Sequence, residues 1–220
     1  MKFKPDPCVA HVAAWIEQLG RSLIPDFDAA EAFLQALDPS VKYFSFRTFS
    51  DSPYTRHTGK DPLERAIHGG LKTCWDELVE LNRRGAAVSV TINHTNGQGR
   101  TAADIEQVRA LFLDDDGPPD RLDRFPLPPH IQVRTSPGHY HHYWRVEGMP
   151  LFSFCGLQQQ LARRYGGDNK VMALNQSMQL PGIWRRKSLK RPVMSSIHRL
   201  NLCKPYPMET LQRLFDLKNS

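Results

Sequence analysis

Apolar residues recur at helical spacing from Val9 to Leu19 and from Ala29 to Leu37, the second run introduced by Asp28 as an N-cap. Lys42 to Phe49 then alternates aromatic and polar residues, as a half-buried strand does. Pro62 to Arg84 predicts a longer helix, bent near Gly69-Gly70 and stopped by Gly85. Val88, Val90 and Ile92 alternate with Ser89, Thr91 and Asn93, so Ala87 to Asn93 predicts a strand that ends in the turn sequence Asn-Gly-Gln-Gly. Ala102 to Arg109 is expected as a short helix and Ala110 to Asp116 as an apolar strand running into carboxylates. Ile131 to Thr135 and Tyr140 to Val146 flank Ser-Pro-Gly-His, a hairpin by composition. Leu151 to Tyr165 has helical periodicity, and Met172 to Gln179 fits neither period clearly. Val193 to Leu200 predicts a strand and Met208 to Leu217 a final helix. Pro118 to Pro129 is the one Pro-rich stretch and reads as a surface loop. Interleaved helices and strands give an α+β (α/β) fold class.

Composition adds bounds. The chain has 220 residues, 40% hydrophobic and 24% charged, which is ordinary for a folded globular protein and excludes global disorder or a fibrous architecture. No run reaches the roughly 20 apolar residues of a membrane span, and the first residues lack the apolar stretch of a secretory signal, so a cytoplasmic protein without a membrane partner is expected. Cys8, Cys74, Cys155 and Cys203 show no CxxC spacing and are expected reduced and mostly buried. Lys and Arg number 29 against 23 Asp and Glu, a net charge of +6 that suits a polyanionic partner. The excess is local. Between Asp168 and Glu209 no acidic residue occurs, while Lys170, Arg185, Arg186, Lys187, Lys190, Arg191, Arg199 and Lys204 all fall there.

Three blocks could carry chemistry. In Leu111-Phe112-Leu113-Asp114-Asp115-Asp116-Gly117, strand alternation sends Asp114 and Asp116 to one face and Asp115 to the other. Two carboxylates side by side suit hard divalent cations, although a solvated turn after an edge strand fits a DxD equally well. In the second block, Arg134 to Trp144, the returning strand places His139, His141, Tyr143 and Arg145 on one face and Tyr140, His142, Trp144 and Val146 on the other. The first face, with a hydroxyl and free amides at the turn, could cradle a triphosphate; a His-x-His metal site or cross-strand packing are the competing readings. The third block runs from Gly166-Gly167-Asp168 through Leu180-Pro181-Gly182-Ile183-Trp184-Arg185-Arg186-Lys187. It offers one more carboxylate, a run of amides and a turn that delivers a basic cluster to phosphates.

In this order and spacing the blocks resemble the archaeo-eukaryotic primase superfamily, specifically the RepB-like DNA primases of plasmids, phages and other mobile elements. Ala110 to Gly117 is similar to that family's hydrophobic-DxD block, Thr135 to Trp144 to its Ser-Pro-Gly-x-x-His-x-Tyr-Trp block, and Leu180 to Lys187 to its Leu-Pro-Gly-x-x-x-x-Lys block. Leu81 to Arg100 resembles the segment ahead of the DxD, so the likeness covers roughly Phe44 to Met194. It implies a primase catalytic core: an RRM-like sheet with helices packed on an N-terminal α/β lobe, the active cleft lying between. The expected organisation is a single primase-type domain, with residues 1–100 as the N-terminal lobe, 101–200 as the catalytic lobe and 201–220 as a C-terminal helix.

The activity implied is template-directed nucleotidyl transfer, making primers on single-stranded DNA from NTPs or dNTPs in the replication of a mobile element. Asp114 and Asp116, with Asp168 as a third carboxylate, would hold two Mg²⁺ or Mn²⁺ ions. Ser136 and His141 would contact the incoming triphosphate, Lys187 and Arg134 would add charge, and Tyr143 would position the histidine or line the nucleotide pocket. Arg185, Arg186, Lys190 and Arg191 would follow the nucleic-acid backbone. The third block departs from the family pattern, in which an Asp precedes Arg-x-x-Arg-x-Pro-Gly: Ala173, Gln176 and Gln179 stand at those places. No Walker A sequence occurs, so a replicative helicase is expected as a separate chain. Two other functions fit the same residues. A metal-dependent nuclease or phosphoesterase would shorten DNA, and a non-catalytic origin-binding protein would bind it without turnover.

Overall fold

The computed structural model describes residues 14, 18–52, 61–116, 124–188 and 191–218. Most of the expected helix Val9–Leu19 and the first half of the loop Pro118–Pro129 lie outside them, as do Cys8 and Lys190. The first element with both ends described is helix α1 (Phe27–Leu37). Its N-cap is Asp26 rather than Asp28: the Asp26 carboxylate accepts from the Ala29 amide at 3.0 Å, and Asp28 sits in the first turn, where its charge complements the helix dipole.

Strand β1 (Phe44–Ser50) pairs antiparallel with β2 (Arg65–Gly69), which is followed by helix α2 (Leu71–Arg83). The single bent helix expected over Pro62–Arg84 is therefore a strand and a helix, with Gly70 as the new N-cap. Apolar residues in Arg65–Gly69 are too few for their period to distinguish the two, and pairing with β1 decides. Strand β3 (Ala86–Thr91) is buried along its whole length, and β4 (His94–Thr95) pairs with β5 (Ile105–Gln107). The helix expected over Ala102–Arg109 shrinks to one 3₁₀ turn, Ala102–Asp104, because the Asp104 carboxylate ties back to the Thr101 amide and hydroxyl and β5 takes up pairing at once.

The acid-bearing strand β6 (Ala110–Asp115) is followed by β7 (Ile131–Ser136), β8 (His139–Glu147) and helix α3 (Leu151–Tyr165). The remaining elements are β9 (Ser177–Gln179), β10 (Trp184–Arg185), β11 (Val193–Met194), β12 (Ser196–Leu200), β13 (Tyr206–Pro207) and helix α4 (Met208–Phe215). The expected strand Val193–Leu200 is split at Ser195. That side chain turns inward and donates to the Leu180 and Ile183 carbonyls, while the Gly182 amide donates to the Ser195 carbonyl. The Pro181-Gly182 turn is thereby pinned beside the start of α1: Gly182 has φ +80°, and a Cβ there would lie 2.0 Å from the Asp26 carbonyl oxygen. Only glycine fits.

Two sheets result. One has the antiparallel order β2-β1-β3-β9, so residues 177–179 return to complete a sheet begun by residue 44. The other runs β12-β7-β8, with β6 and then β13 along the far edge of β8. One continuous apolar core links them through α1, whose Phe33 ring meets Tyr143 of β8 edge-on at 5.3 Å. On the second sheet's other face, Trp144 packs against Phe215 of α4. The expectation of buried cysteines holds only for Cys74, since Cys155 and Cys203 are exposed; all three are free thiols. Among the described residues no helix is long and apolar enough to cross a membrane.

Candidate active site

Strand β6 carries the aspartates, and its free edge is held in an unusual way. The buried Gln158 side chain on α3 donates to the Phe112 carbonyl and accepts from the Phe112 amide, acting as a one-residue partner strand. Two residues on, the Asp168 amide donates to the Asp114 carbonyl at 3.1 Å. The third-block carboxylate is therefore set beside the first by backbone pairing.

Cross-strand register places Asp114 opposite His141 and Asp115 opposite Tyr140. Asp114, Asp116, Ser136, His139, His141, Asp168, Arg185, Lys187 and Arg191 line one cavity of about 400 Å³. Asp115 points the other way. Its side chain is 6% exposed and bonds the Arg124 guanidinium and, at 3.1 Å, His142 Nε2. The alternation read from the sequence is present in the strand.

On the open face each aspartate faces a histidine. His141 Nε2 lies 3.4 Å from Asp114 Oδ1, and His139 Nδ1 lies 2.6 Å from Asp116 Oδ1. Behind His141, the Tyr143 hydroxyl lies 3.2 Å from Nδ1. Burial, helped by the Asp114 charge, raises the Tyr143 pKa well above its ordinary value, so the hydroxyl stays protonated beside His141 Nδ1 and holds the ring with Nε2 toward Asp114. Partial burial works to raise the Asp114 pKa. The His141 contact and the Arg185 and Lys187 charges outweigh it, so the carboxyl titrates below its ordinary value and is ionised at neutral pH.

Several expected roles do not survive. Arg134 pairs opposite Tyr140 and so projects from the face away from the cavity. Tyr143 is fully buried behind His141 and does not line the cavity. Arg186, only 1% exposed, has its amide on Asp51 and its guanidinium on the Arg83 carbonyl, so it cannot follow a strand in solvent. Arg185 and Arg191 do reach the cavity, Arg185 with Asp51 3.7 Å away. The Asp168 carboxylate accepts from the Lys170 amide at 2.9 Å while lining the same wall. Thr135 and Ser188 were not singled out by the sequence; Thr135 neighbours Ser136 at the hairpin turn, a position that could have marked it.

Among the described residues no three His, Cys, Asp or Glu side chains converge into a closed metal cage. Mg²⁺ and Mn²⁺ do not need one, because Mg²⁺-type ions are typically held by one or two carboxylates completed by water and substrate phosphates. Asp114 and Asp116, on one wall with cations opposite, fit that kind of site.

The profile of the RepB DNA-primase N-terminal domain family matches residues 83–202. No curated protein matches the chain. Among solved structures, the AEP domain of a primase-polymerase from cyanophage S-2L is similar with a TM-score of 0.67 at 19% identity, over 87% of this chain and 98% of that one. The catalytic domain of primase RepB′ in complex with initiator DNA is similar with a TM-score of 0.58 at 17% identity, over 81% and 87%. A second RepB′ structure gives 0.59 at 17%, over 81% of this chain and 58% of that one. These likenesses show a shared primase catalytic fold. With the family profile spanning more than half of its length, the chain belongs to the RepB DNA-primase N-terminal domain family.

Proposed function

We propose that the chain is a DNA primase or primase-polymerase that extends or starts oligonucleotides on single-stranded DNA from nucleoside triphosphates. One observation carries the reading: a single cavity gathers the Asp114 and Asp116 carboxyls, the His141 imidazole, the Ser136 hydroxyl and the Lys187 ammonium from separate elements of the chain. That set matches a triphosphate on one side and a reacting hydroxyl on the other. In the reaction the 3′ oxygen forms a bond to the α-phosphorus, the bond from that phosphorus to the bridging oxygen breaks, and pyrophosphate leaves.

Lys187 and Arg191 offset the triphosphate charge, and Ser136 offers a hydroxyl donor at the turn where Gly138 (φ +80°) lets the backbone fold back. His141, held by Tyr143, donates from Nε2 toward phosphate oxygen or Asp114. Asp114 and Asp116, with Asp168 adjoining, are the oxygen ligands that would hold Mg²⁺ or Mn²⁺. Such ions, when bound, supply positive charge that acidifies the 3′-hydroxyl and offsets the leaving pyrophosphate. The initiator DNA held by RepB′ supports DNA as the partner, and the helicase that opens the duplex is assigned to a separate chain in the cytoplasm.

The test is primer synthesis on single-stranded templates with labelled nucleotides and Mg²⁺ or Mn²⁺. Extended or de novo oligonucleotides from the wild type, and none from Asp114→Asn, are expected. Shortened DNA would assign the site to hydrolysis, and DNA binding with no turnover would make the chain a binding protein.

A further inference from the structure

A second chamber, of about 440 Å³, adjoins the first and shares Asp114, His141, Arg185 and Lys187 with it. The rest of its wall comes from the other sheet and from the segment 171–176 that leads into β9. Arg47 on β1 pairs with Ser89 on β3, and Ser89 pairs with Gln179 on β9, so these three side chains stand in one row across three strands. All three line the chamber, joined by Arg100 from the loop after β4. None of them has a part in the proposed chemistry.

The row is short of partners. Arg47 and Arg100 share one carboxylate, Glu64, at 3.3 and 4.0 Å, and that side chain is itself 45% exposed. Burial, and then the neighbouring Arg47 charge, lowers the Arg100 pKa. Gln179 is only 7% exposed, yet its Nε2 has no hydrogen-bond partner among the described residues, and Arg47 Nε is likewise buried and unpartnered. An unpaired buried donor is costly, so these groups have an occupant to gain by.

The wall is rich in donors: the guanidinium groups of Arg47, Arg100 and Arg185, the Lys187 ammonium and the unpartnered Gln179 amide N–H, against Asp114 as its single carboxylate, while the Ser89 hydroxyl between them is taken up by the Arg47 carbonyl at 3.2 Å. A divalent cation is repelled by that set, and a neutral base leaves its charge unanswered. A phosphate group, tetrahedral, anionic and purely accepting, answers both. We propose that this chamber is a second phosphate-binding subsite, in which Arg47, Arg100 and Gln179 hold a phosphate distinct from the one at Ser136 and Lys187. Glu64 occupies the two arginines until that phosphate arrives. The inference rests on the primase reading only for the phosphate's owner, which is either the tail of a nucleoside triphosphate or the phosphodiester of a DNA strand.

Two equilibrium binding titrations on the full chain, without turnover, test it. One uses fluorescent ATP and the other a fluorescent single-stranded oligonucleotide over a series of salt concentrations. Arg47→Ala and Arg100→Ala are each expected to weaken one probe about tenfold or more, while Glu64→Gln tightens the same probe by freeing both guanidiniums. A nucleotide owner appears as a raised Kd for ATP with the oligonucleotide unchanged. A strand owner appears as a salt slope lowered by about 0.7 for each lost contact, with ATP unchanged.

Unchanged binding of both probes would overturn the proposal, as would weaker binding in Glu64→Gln. If Arg47→Ala fails to fold, Arg100→Ala and Glu64→Gln, the latter at the more exposed end of the pair, still decide it. Failure of the primase reading looks different: wild-type chain that makes no primer while these variants still alter binding retains the subsite. Wild-type synthesis with unaltered binding removes the subsite alone.

Discussion

The two faces of the β6–β8 pair carry the same side-chain chemistry in opposite settings. On one face Asp114 and Asp116 meet His141 and His139; on the other, Asp115 meets His142. The first face opens on a cavity, with Asp114 30% exposed and lysine and arginine across the gap. The second is closed: Asp115 is bonded to Arg124, which also donates to the carbonyl of Tyr165, the last residue of α3, and packs over the Phe125 ring. An aspartate–histidine pair is thus no signature of function by itself. Access to solvent and to incoming phosphate separates a reactive pair from a structural one, and a one-residue step along a strand is enough to switch between them.

The sharpest way to test that division is to remove charge from each face in turn. Asp114→Asn and Asp116→Asn should each lower primer synthesis by roughly a thousandfold while leaving the thermal midpoint within a degree or two, since each carboxylate is directed at the cavity. Asp115→Asn should do the reverse. It leaves Arg124 and the buried His142 without their shared carboxylate, which costs about 3 kcal/mol of stability and retains much of the activity per folded molecule. Denaturant titration alongside the synthesis assay reads both quantities. Similar activity losses from all three variants at unchanged stability would dissolve the distinction between the faces.

The open face was largely legible from the sequence because a strand's period of two is fixed by backbone geometry, so Asp114, Asp116, His139 and His141 fall together once β6 and β8 are recognised. Helix α3 was legible end to end for the same kind of reason. The basic run Arg185 to Arg191 was not. Neighbouring Arg185 and Arg186 read as one patch, yet Arg186 is turned inward by Asp51, 135 residues away in the chain. No local pattern encodes that partner. The row Arg47, Ser89 and Gln179 was hidden similarly: each strand shows its own alternation, but register among three strands drawn from residues 44 to 179 is set by tertiary packing. Strand β2 escaped because an edge strand with one covered face needs few apolar residues, and those few fit a helix as well.

A smaller effect probes how the open face is kept in order. Tyr143→Phe retains the ring that packs on Phe33 and removes only the hydroxyl beside His141 Nδ1. Without that donor the imidazole is free to place its proton on either nitrogen, so nucleotide affinity should fall about fivefold, equivalent to one hydrogen bond of about 1 kcal/mol, with the fold unaffected. Titration with labelled nucleotide measures it. An unchanged affinity would show that His141 is held by Asp114 and its strand neighbours alone.

The smallest expected effect belongs to the closed face and appears in acid. Burial lowers the His142 pKa below its ordinary 6.5, against an opposing pull from Asp115. The folded protein therefore keeps this ring neutral while the unfolded chain takes up a proton near pH 6.5. Because the unfolded state binds more protons there, stability is complete above that pH and falls as pH drops below it, until the folded-state pKa is reached. The slope from one such group is at most about 1.4 kcal/mol per pH unit. Thermal midpoints measured between pH 7.5 and 5 should decline more steeply for the wild type than for His142→Gln, whose amide reaches where Nε2 stood and can still donate to Asp115 but takes up no proton. Parallel declines would mean that the acid sensitivity of the fold arises elsewhere and that this face is ordered by its packing around Phe125 and Trp144, not by the neutral state of its histidine.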